Sequence, residues 1–600
     1  MFNPKFNPKK FSAKPSLTLA LAAGLLCAVP VLMPAPVLAC GGFFCSRVPV
    51  DQAAERILFV KDGEEMVAHV QIQYTGPSEK FSWVVPVPSP PKLSVGSDAL
   101  FQTLRTSTQP QFNLNLRTEG TCKQAPFDGP GGVANAAPTA APSASAAPSV
   151  EVVSQQEVGP YETVVLKGDN VAVLKDWLAA NGYDVPAKVD PLLEPYIKNK
   201  MYLLALKLQK NRDAGDLQPI VMRYLSAKPM IPIQLTAVAA TPDMDVQLWI
   251  LGAHRAIPVN YPHVEVNEAR IDWMNNGFNY RQVVTDAMNE AGGRGFVTDY
   301  AGDSSVLPID QFDPQRYNLD YVRGLKDPVT FVRGVQNYFP TPAAWISFVS
   351  RHLPKPQKFE DISDTNFYGS IETFAVALDK AQVTANTETA VRELDETLVQ
   401  PTREIRRLFM ENPYLTRLFT TLSPEEMTAD PMFDFNPQLP RVALLRQAEG
   451  VRQCSANVYE WEAPIRVTTP KGLVFTLRQN QPFGQGLTQG SDGKPLPAAA
   501  RIQQLAPAGA ATLLRDNTVA IQASLGAPQS GGTPAQSAQP SPRPTDAGII
   551  RPSQQGTGCA CSSPNTVQTA ERQLKGATEG LAYASVLLGF AAWRRWRRKP

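Results

Sequence analysis

Hydrophobic and polar residues alternate along the early part of the chain in a pattern that is typical of β-strands. Residues 56–74 contain two alternating apolar runs on either side of Asp62 and Gly63, a dipeptide favoured in tight hairpin turns. The apolar segment 80–88 predicts a third strand that ends at its prolines. Four more apolar runs between residues 201 and 252 (MYLLALKLQ, QPIVMRYL, IPIQLTAVAA and DVQLWILG) predict successive strands.

Other segments carry their apolar residues at the 3.6-residue period of an amphipathic helix. Residues 97–108 predict a short helix capped by Ser97, and residues 170–186 predict a second helix that ends at a glycine. Residues 278–291 and 374–410 predict two more helices, and the latter is long, with charged residues along its exposed face. Helices are therefore expected among the strands.

The order of these elements indicates the fold class. Strands return at residues 457–469 and 473–479, and helices and strands mix without regular βαβ alternation. This pattern predicts an α+β fold with β-rich antiparallel sheets and amphipathic helices over residues 40–525. The Ala-, Pro- and Ser-rich segment 130–149 has no apolar period and predicts a disordered insertion, and residues 526–556 predict a flexible linker.

The first 39 residues have the three parts of a secretory signal peptide. A lysine-bearing start is followed by the apolar run 17–29, and small residues stand before the expected cleavage point, with Val37 at −3 and Ala39 at −1. An uncleaved signal anchor is the alternative. The segment VLAC also resembles a lipoprotein box, in which Cys40 would be acylated, and the competing interpretation is that Cys40 enters a disulfide.

The C-terminal segment 557–600 combines a short apolar helix, expected at about 576–593, with a basic tail. This helix is short for a comfortable membrane crossing, and the arginines should remain on the cytoplasmic side. The body would then lie outside the cytoplasm, attached to the membrane by a single-span helix. The basic tail contains Arg594, Arg595, Arg597 and Arg598.

Two interpretations of this end remain open. The pattern TGCAC with Cys559 and Cys561, followed by an apolar helix and arginines, resembles the MYXO-CTERM type of sorting signal. In that type, a membrane protease is thought to cut near the cysteine and pass the protein to the cell surface. A plain membrane anchor is the alternative. Both predict a cell-envelope location and contact with the export and sorting machinery.

The cysteines indicate which compartment the body is suited to. Cys40, Cys45, Cys122 and Cys454 belong to the body and allow three disulfide pairings if the chain is exported. One pairing closes a small loop through Gly41 and Gly42 and joins Cys122 to Cys454.

The charge distribution argues against nucleic-acid binding. Nine of the 57 Lys and Arg residues lie before the first apolar run or after the last one, in two stretches without an acidic residue, although the net charge of the whole chain is +2. The body is therefore mildly acidic, whereas proteins that bind phosphate backbones need a basic surface.

Several long segments resemble the domain of unknown function 2330 family. They include ACGGFFCSRVPVDQAAERILFV, FSWVVPVPSPP, LKDWLAANGYDVP, HRAIPVNYPHVEVNEARIDW, FVTDYAG and NPYLTRLFTTLSPEEMTADPMFDFNP. The resemblance covers about residues 40–480, interrupted by the low-complexity insertion. The family consists of exported bacterial proteins, so the resemblance supports an envelope location. Because the family has no established activity, the resemblance supplies no catalytic residues.

The densest polar cluster in the sequence lies between residues 254 and 280. His263, Glu268 and Asp272 are the candidates there for proton transfer or cation binding, because imidazole and carboxylate groups perform both. Such residues more often cap helices and join loops.

A second candidate cluster offers oxygen atoms of the kind that calcium prefers. Asp430, Asp434 and Asn436 lie close together in the sequence, but without the spacing of a calcium-binding loop. Turns of the backbone at the neighbouring prolines are the alternative interpretation.

The sequence therefore leaves two functional hypotheses. The favoured one is a non-enzymatic binding or structural module displayed outside the cytoplasm, with a protein or cell-wall partner and no cofactor. The alternative is an extracytoplasmic enzyme, of hydrolase type, that uses the region of His263, Glu268 and Asp272.

Overall fold

The computed structural model describes residues 52–72, 81–123, 151–183, 189–209, 217–238, 240–477 and 484–526, and all of them belong to one compact unit. These residues form twenty strands: β1 (Gln52–Asp62), β2 (Glu65–Ile72), β3 (Ser82–Val87), β4 (Lys92–Val95), β5 (Gln111–Glu119), β6 (Glu151–Val158), β7 (Tyr161–Lys167), β8 (Tyr202–Leu208), β9 (Ile220–Leu225), β10 (Ala240–Gly252), β11 (Arg255–Pro258), β12 (His263–Val266), β13 (Val297–Asp303), β14 (Tyr414–Leu422), β15 (Phe433–Asn436), β16 (Leu445–Gln453), β17 (Ile465–Thr468), β18 (Val474–Leu477), β19 (Ala499–Gln504) and β20 (Thr512–Asp516).

The same residues form thirteen α-helices, which are interspersed among the strands. They are α1 (Asp98–Thr108), α2 (Val171–Ala180), α3 (Asp190–Lys198), α4 (Ile233–Thr236), α5 (Tyr280–Glu290), α6 (Leu319–Gly324), α7 (Pro328–Val335), α8 (Pro342–His352), α9 (Asp364–Gly369), α10 (Ala375–Lys380), α11 (Thr387–Leu394), α12 (Gln400–Glu411) and α13 (Thr518–Ser524). The mixture of helices with several antiparallel sheets confirms the predicted α+β class.

A seven-stranded sheet with the order β13-β14-β10-β1-β2-β9-β4 forms the centre of the body. Its pairs are antiparallel except for β1 and β10, which run parallel. Ile57 and Phe59 lie in the core on one face, and Leu58 and Val60 lie in the core on the other. Because both faces are covered, strand β1 has a continuous apolar run over residues 57–60. The alternation of apolar and polar residues expected for this strand was therefore wrong, although the strand itself is present.

Each face of this sheet packs against a different layer. On one face, helices α1 and α12 bury Leu104 and Leu408. On the other face lies a four-stranded sheet with the order β3-β8-β7-β6, which contributes Trp83 and Leu206 to the shared core. Strand β3 is at the edge of that sheet, where Pro86 is tolerated because one side of an edge strand needs no hydrogen-bond donor.

Two further regions complete the described body. Helices α6 to α11 share a core of their own around Phe331, Phe348 and Tyr368. The sheet with the order β18-β17-β16-β5 joins an early strand to three late ones, and its β5 and β16 run parallel.

Most of the predicted early elements are confirmed. Strands β1 and β2 form the predicted hairpin, with Gly63 at φ +60° in the turn, and β3 follows as expected. Helix α1 begins after Ser97, helix α2 ends before Gly182, and α5 lies within residues 278–291.

Residues 231–240, predicted as a strand, are an exception. They contain the short helix α4, which begins after Pro232. Its Gln234 backbone amide donates a hydrogen bond to Oδ1 of Asp430, 3.0 Å away. This contact from a distant segment caps the turn, whereas the local alternation of apolar residues favoured a strand.

The long helix predicted over residues 374–410 is interrupted. Helix α10 ends before Gln382, whose φ of +50° breaks the helical path, and α11 begins after its cap Asn386. Helices α11 and α12 are then joined by the π-helical turn Asp395–Val399, which precedes Pro401. Proline has no amide hydrogen, so the wider turn before it accommodates the missing bond.

Several predictions lie outside the described residues. They are the signal peptide 1–39, Cys40 and Cys45, the insertion 130–149, the linker 526–556 beyond Gly526, and the C-terminal segment 557–600 with Cys559, Cys561 and its arginines. Among the residues that the structure does describe, no helix has the length and apolar character needed to cross a membrane.

Candidate functional site

His263 lies on strand β12 and is almost completely buried. Its Nε2 lies 2.9 Å from Oγ1 of Thr298, and its Nδ1 lies 3.3 Å from Nε2 of Gln503. Burial, and then the positive charge of Arg255, lower the pKa of His263 to about 3. The imidazole is therefore neutral at physiological pH, and a group with so low a pKa is a weak general base.

Glu268 lies in a 3₁₀ turn after β12 and lines a cavity of about 210 Å³. Glu265 and Lys471 also line this cavity, and Lys471 Nζ lies 2.5 Å from Oε2 of Glu265. Burial alone would raise the pKa of Glu265, but the ammonium of Lys471 holds it below its usual value. His263 and Asp272 do not line this cavity.

Asp272 caps the turn that precedes helix α5. Its Oδ2 accepts hydrogen bonds from Nδ2 of Asn275 at 2.8 Å and from the backbone amide of Gly484 at 2.9 Å. It therefore ties a distant loop to the start of the helix. The three candidates of this region occupy different local environments, and the structure does not bring them to one cavity.

The three candidate calcium ligands also have separate partners. Asp430 accepts a hydrogen bond from Tyr196 at 2.9 Å, Asp434 pairs with Lys228 at 2.7 Å, and Asn436 donates to the Ala506 carbonyl at 2.7 Å. Over the described ranges, no group of three or more His, Cys, Asp or Glu side chains is arranged to hold a metal ion.

The described body contains a disulfide between Cys122 and Cys454, which are 332 residues apart in the sequence. This is one of the pairings that the sequence allowed. Cys122 follows strand β5 and Cys454 follows β16, so the bond closes the end of the parallel pair.

A much larger cavity, of about 560 Å³, lies between helix α1 and the helical region that follows β13. We call it the arginine cleft, because Arg56, Arg105 and Arg351 line it together with Tyr338 and Phe339. Its volume falls within the range of roughly 300–1,000 Å³ that is typical of ligand pockets.

Helix α1 supplies one wall of the arginine cleft. Asp98, Gln102 and Arg105 line it, at spacings of four and three residues that place them on one face of the helix. Arg105 is exposed, and its side chain has no hydrogen-bond or ion-pair partner among the described residues.

The floor of the cleft contains a half-buried guanidinium. Arg56 Nη1 donates to Oε1 of Gln71 at 2.9 Å, and Gln71 Nε2 donates to Oδ1 of Asp98 at 2.6 Å. Nε of Arg56 is buried and has no hydrogen-bond partner in the part of the chain that the structure describes. Burial and the neighbouring Arg105 lower the pKa of Arg56, and burial raises the pKa of Asp98.

The opposite wall is aromatic. Tyr317 and Tyr338 meet edge to face with ring centres 5.4 Å apart, and Phe339 follows directly. All three rings are partly exposed. At the far end, Arg351 Nη2 lies 2.5 Å from Oε1 of Glu393, which neutralises that arginine.

A sequence model of a family described as uncharacterised proteins conserved in bacteria (DUF2330) matches residues 34–434. The chain belongs to the DUF2330 family. No curated protein and no solved structure matches the chain. The segment that matches the family includes every residue that lines the arginine cleft.

Sequence reasoning missed this cleft, because its residues come from segments far apart in the chain. Arg56 is on β1, Arg105 is on α1 and Tyr338 follows α7. The one local signal is the polar face of α1, and a polar face looks the same in sequence whether it meets bulk water or a cavity.

Proposed function

We propose that this DUF2330 protein is a non-enzymatic binding module that works outside the cytoplasm and holds an anionic ligand in the arginine cleft. The observation that carries the proposal is the guanidinium of Arg105, which has no hydrogen-bond or ion-pair partner among the described residues and lines a cavity of about 560 Å³ together with three aromatic rings. Arginine is well suited to planar carboxylate and phosphate groups, and the aromatic rings favour an apolar or ring-bearing part of the same ligand.

The charges around the cleft support an anion over a cation. Asp98 faces Arg56 through Gln71, and Glu393 faces Arg351, so each of these two arginines has an acidic neighbour. Arg105 has no acidic partner among the described residues. Arg56 lines the same cavity, and its buried Nε also lacks a hydrogen-bond partner in the described part of the chain.

The cleft proposal is tested by calorimetric titration with matched small molecules. Benzoate should bind more tightly than benzamide, which lacks the charge, and more tightly than acetate, which lacks the ring. Arg105→Gln should weaken benzoate binding about 10-fold or more, since a charged hydrogen bond contributes about 1.5–3 kcal/mol.

Arg403→Gln is the matched control. Arg403 is an exposed arginine on helix α12 and does not line the cleft. Its replacement should leave benzoate binding unchanged. Equal affinity for benzoate and benzamide, or equal losses in the two variants, would show that the cleft is not an anion site.

The location outside the cytoplasm has its own support and its own test. The Cys122–Cys454 disulfide is suited to an oxidising compartment, and a lysine-bearing start followed by an apolar run is typical of secretory signal peptides. The helix expected from the sequence at about 576–593 and the arginine tail would attach the protein to the envelope or sort it to the cell surface, where a cell-wall or protein partner would carry the bound group.

The export test uses intact cells that make the full chain. An impermeant protease should digest the body, and mass spectrometry should find an N-terminus at or near residue 40. A protease-resistant chain that retains residues 1–39 and has reduced Cys122 and Cys454 would refute the location. This result would not affect the binding measurement.

A further inference from the structure

A third cavity lies between the seven-stranded sheet and strand β3, on the face of strand β1 that carries Glu55. Its volume is about 30 Å³, and roughly 10–15 Å³ is needed for one water molecule. Glu55 lines this cavity and shares a face of the strand with Ile57 and Phe59. The cavity therefore places a carboxyl group among mostly apolar side chains, with Thr236 and Tyr224 as the other lining residues that carry a polar group.

Glu55 has no counter-charge in the described part of the chain. The residue is 5% exposed, and its Oε2 is buried without a hydrogen-bond partner among the described residues. Burial raises the pKa of Glu55 to about 7. A buried carboxylate without a partner is unfavourable, and a positively charged ligand would relieve that cost.

The walls around Glu55 suit a cation. Phe59, Trp83 and Tyr224 provide aromatic rings, and Met222 and Met230 provide polarisable sulfur atoms. Ring faces attract ammonium groups, most strongly where water is excluded. No Lys, Arg or His of the described residues lines the cavity.

The titratable groups near Glu55 are not cationic either. Tyr224 lines the cavity, and burial raises the pKa of its hydroxyl. Tyr196, whose pKa is raised by burial and then by Asp430, also experiences the charge of Glu55. Burial raises the pKa of Asp430 itself. None of these groups supplies a positive charge to the cavity.

The exposed lining residues of the cavity indicate where a ligand could approach. Pro88, Met230 and Pro232 are the lining residues with more than slight exposure, and the other described lining residues, including Glu55, are buried. A ligand would therefore approach at these three residues.

We propose that this cavity binds a primary ammonium head group, with the carboxylate of Glu55 as its counter-charge and the three aromatic rings around it. An ammonium group is close to a water molecule in size, so it fits the available volume, whereas a quaternary ammonium exceeds it. The remainder of the ligand extends from the cavity past the exposed lining residues Pro88, Met230 and Pro232. The site is separate from the arginine cleft and does not depend on it.

Calorimetry on the wild-type protein tests the size and charge of the ligand. n-Butylammonium should bind at least tenfold more tightly than tetramethylammonium. In buffers of different ionisation enthalpy at pH 6, binding should release close to one proton, because Glu55 is then largely protonated in the free protein and loses its proton to accept the cation. Proton release should vanish at pH 9.

Glu55→Gln keeps the size of the side chain and removes its charge. It should weaken n-butylammonium binding at least tenfold and abolish the proton release, with an unchanged or higher Tm. Asp245→Asn is the control, because Asp245 is also partly buried but already pairs with Arg281 at 2.7 Å. It should bind like the wild type.

Either of two results would overturn the proposal. One is wild-type affinity in Glu55→Gln, and the other is equal affinity of the wild type for the two ammonium ions. If Glu55→Gln did not fold, the size selectivity and the proton release of the wild-type protein would decide the matter without it.

Discussion

Two aspartates of strand β13 show how the surroundings of an ion pair change its contribution. Asp299 is completely buried, with Oδ2 3.2 Å from Nε of Arg417, and Tyr280 donates a 2.5 Å hydrogen bond to its other oxygen. Asp303, on the same strand, pairs with Arg441 at the surface, where both side chains are more than half exposed. The two pairs allow a matched comparison.

Asp299→Asn should lower the free energy of unfolding by about 3–5 kcal/mol, because it leaves the buried charge of Arg417 without a partner. Asp303→Asn should lower it by less than about 1 kcal/mol, because water screens the exposed pair. Urea denaturation of both variants measures the two losses. Equal losses would contradict this assignment.

Glu393 gives a prediction for the pH dependence of stability. Its burial would raise the pKa, but hydrogen bonds from His352 at 2.8 Å and Arg351 at 2.5 Å hold it down to about 2. Because the folded pKa lies below the usual value of 4.5, the stabilisation is complete above pH 4.5 and is lost as pH falls towards 2. It amounts to roughly 3 kcal/mol.

Glu393→Gln should therefore be less stable than the wild type at pH 6, and the difference should shrink as pH falls from 4.5 to 2.5. Chemical denaturation of both proteins across this range measures the difference. A difference that stays constant with pH would show that the carboxylate charge does not contribute.

At the scale of single residues, the sequence shows where polar residues lie along the chain but not which groups they contact in the fold. The density of polar residues around His263 was visible, yet its burial and its contact with Gln503 depend on a strand more than two hundred positions later. The isolation of Arg105 and Glu55 was equally hidden. A charge without a partner is a property of three-dimensional packing and leaves no trace in local spacing.

Single elements were easier to predict where local signals agreed with the packing. Helix α2 has a capping Asn170 and a terminal Gly182, and both signals match the structure. Strand β17, Ile465–Thr468, occupies only the end of the predicted segment 457–469, whose first part is irregular. Tyr459 and Trp461 gave that segment a strand-like composition, because aromatic residues are common in strands. In the structure their rings stack on each other with centres 4.6 Å apart.

Gly120, at the end of strand β5, gives a prediction about the joint between elements. Its φ is +82°, and a Cβ atom there would lie 2.3 Å from the carbonyl oxygen of Cys454. Gly182 has nearly the same φ, +83°, but a Cβ there meets nothing within 4 Å. Gly120→Ala should therefore be the more destabilising change.

Gly182→Ala should lower the free energy of unfolding by about 1–2 kcal/mol, the usual cost of a left-handed conformation. Gly120→Ala adds a backbone clash and should cost several kcal/mol more, on the order of the largest single-residue effects. Urea titration of both variants measures this. Equal losses would mean that strands β5 and β16 separate easily at the end next to Gly120.

At the scale of the whole molecule, several strand pairs join distant parts of the chain. Strand β1 pairs with β10 and β5 pairs with β16, both in parallel. The α+β class followed from the sequence, but these parallel pairs did not, because hydrophobic alternation gives no information about which strand lies beside which. The arginine cleft was not predicted for the same reason, because the residues that line it also come from distant segments.

The disulfide gives a prediction for the whole molecule. Replacing Cys122 and Cys454 together by serine should lower stability by about 2–5 kcal/mol, the range for native disulfides. Calorimetry should show a lower Tm, and dithiothreitol should lower the wild-type Tm to a similar value without affecting the variant. A variant as stable as the oxidised wild type would contradict the prediction.

The pairing of β5 with β16 shows that the family match and the folded body end at different places in the chain. The family match ends at residue 434, but β16 begins at Leu445 and β19, the sheet partner of β12, begins at Ala499. A fragment cut at the similarity boundary would expose the hydrogen-bonding edges of β5 and β12, which invites aggregation. The part of the chain that folds as one unit therefore extends well beyond the part that matches the family. During synthesis, β5 and β12 cannot pair until β16 and β19 have been made.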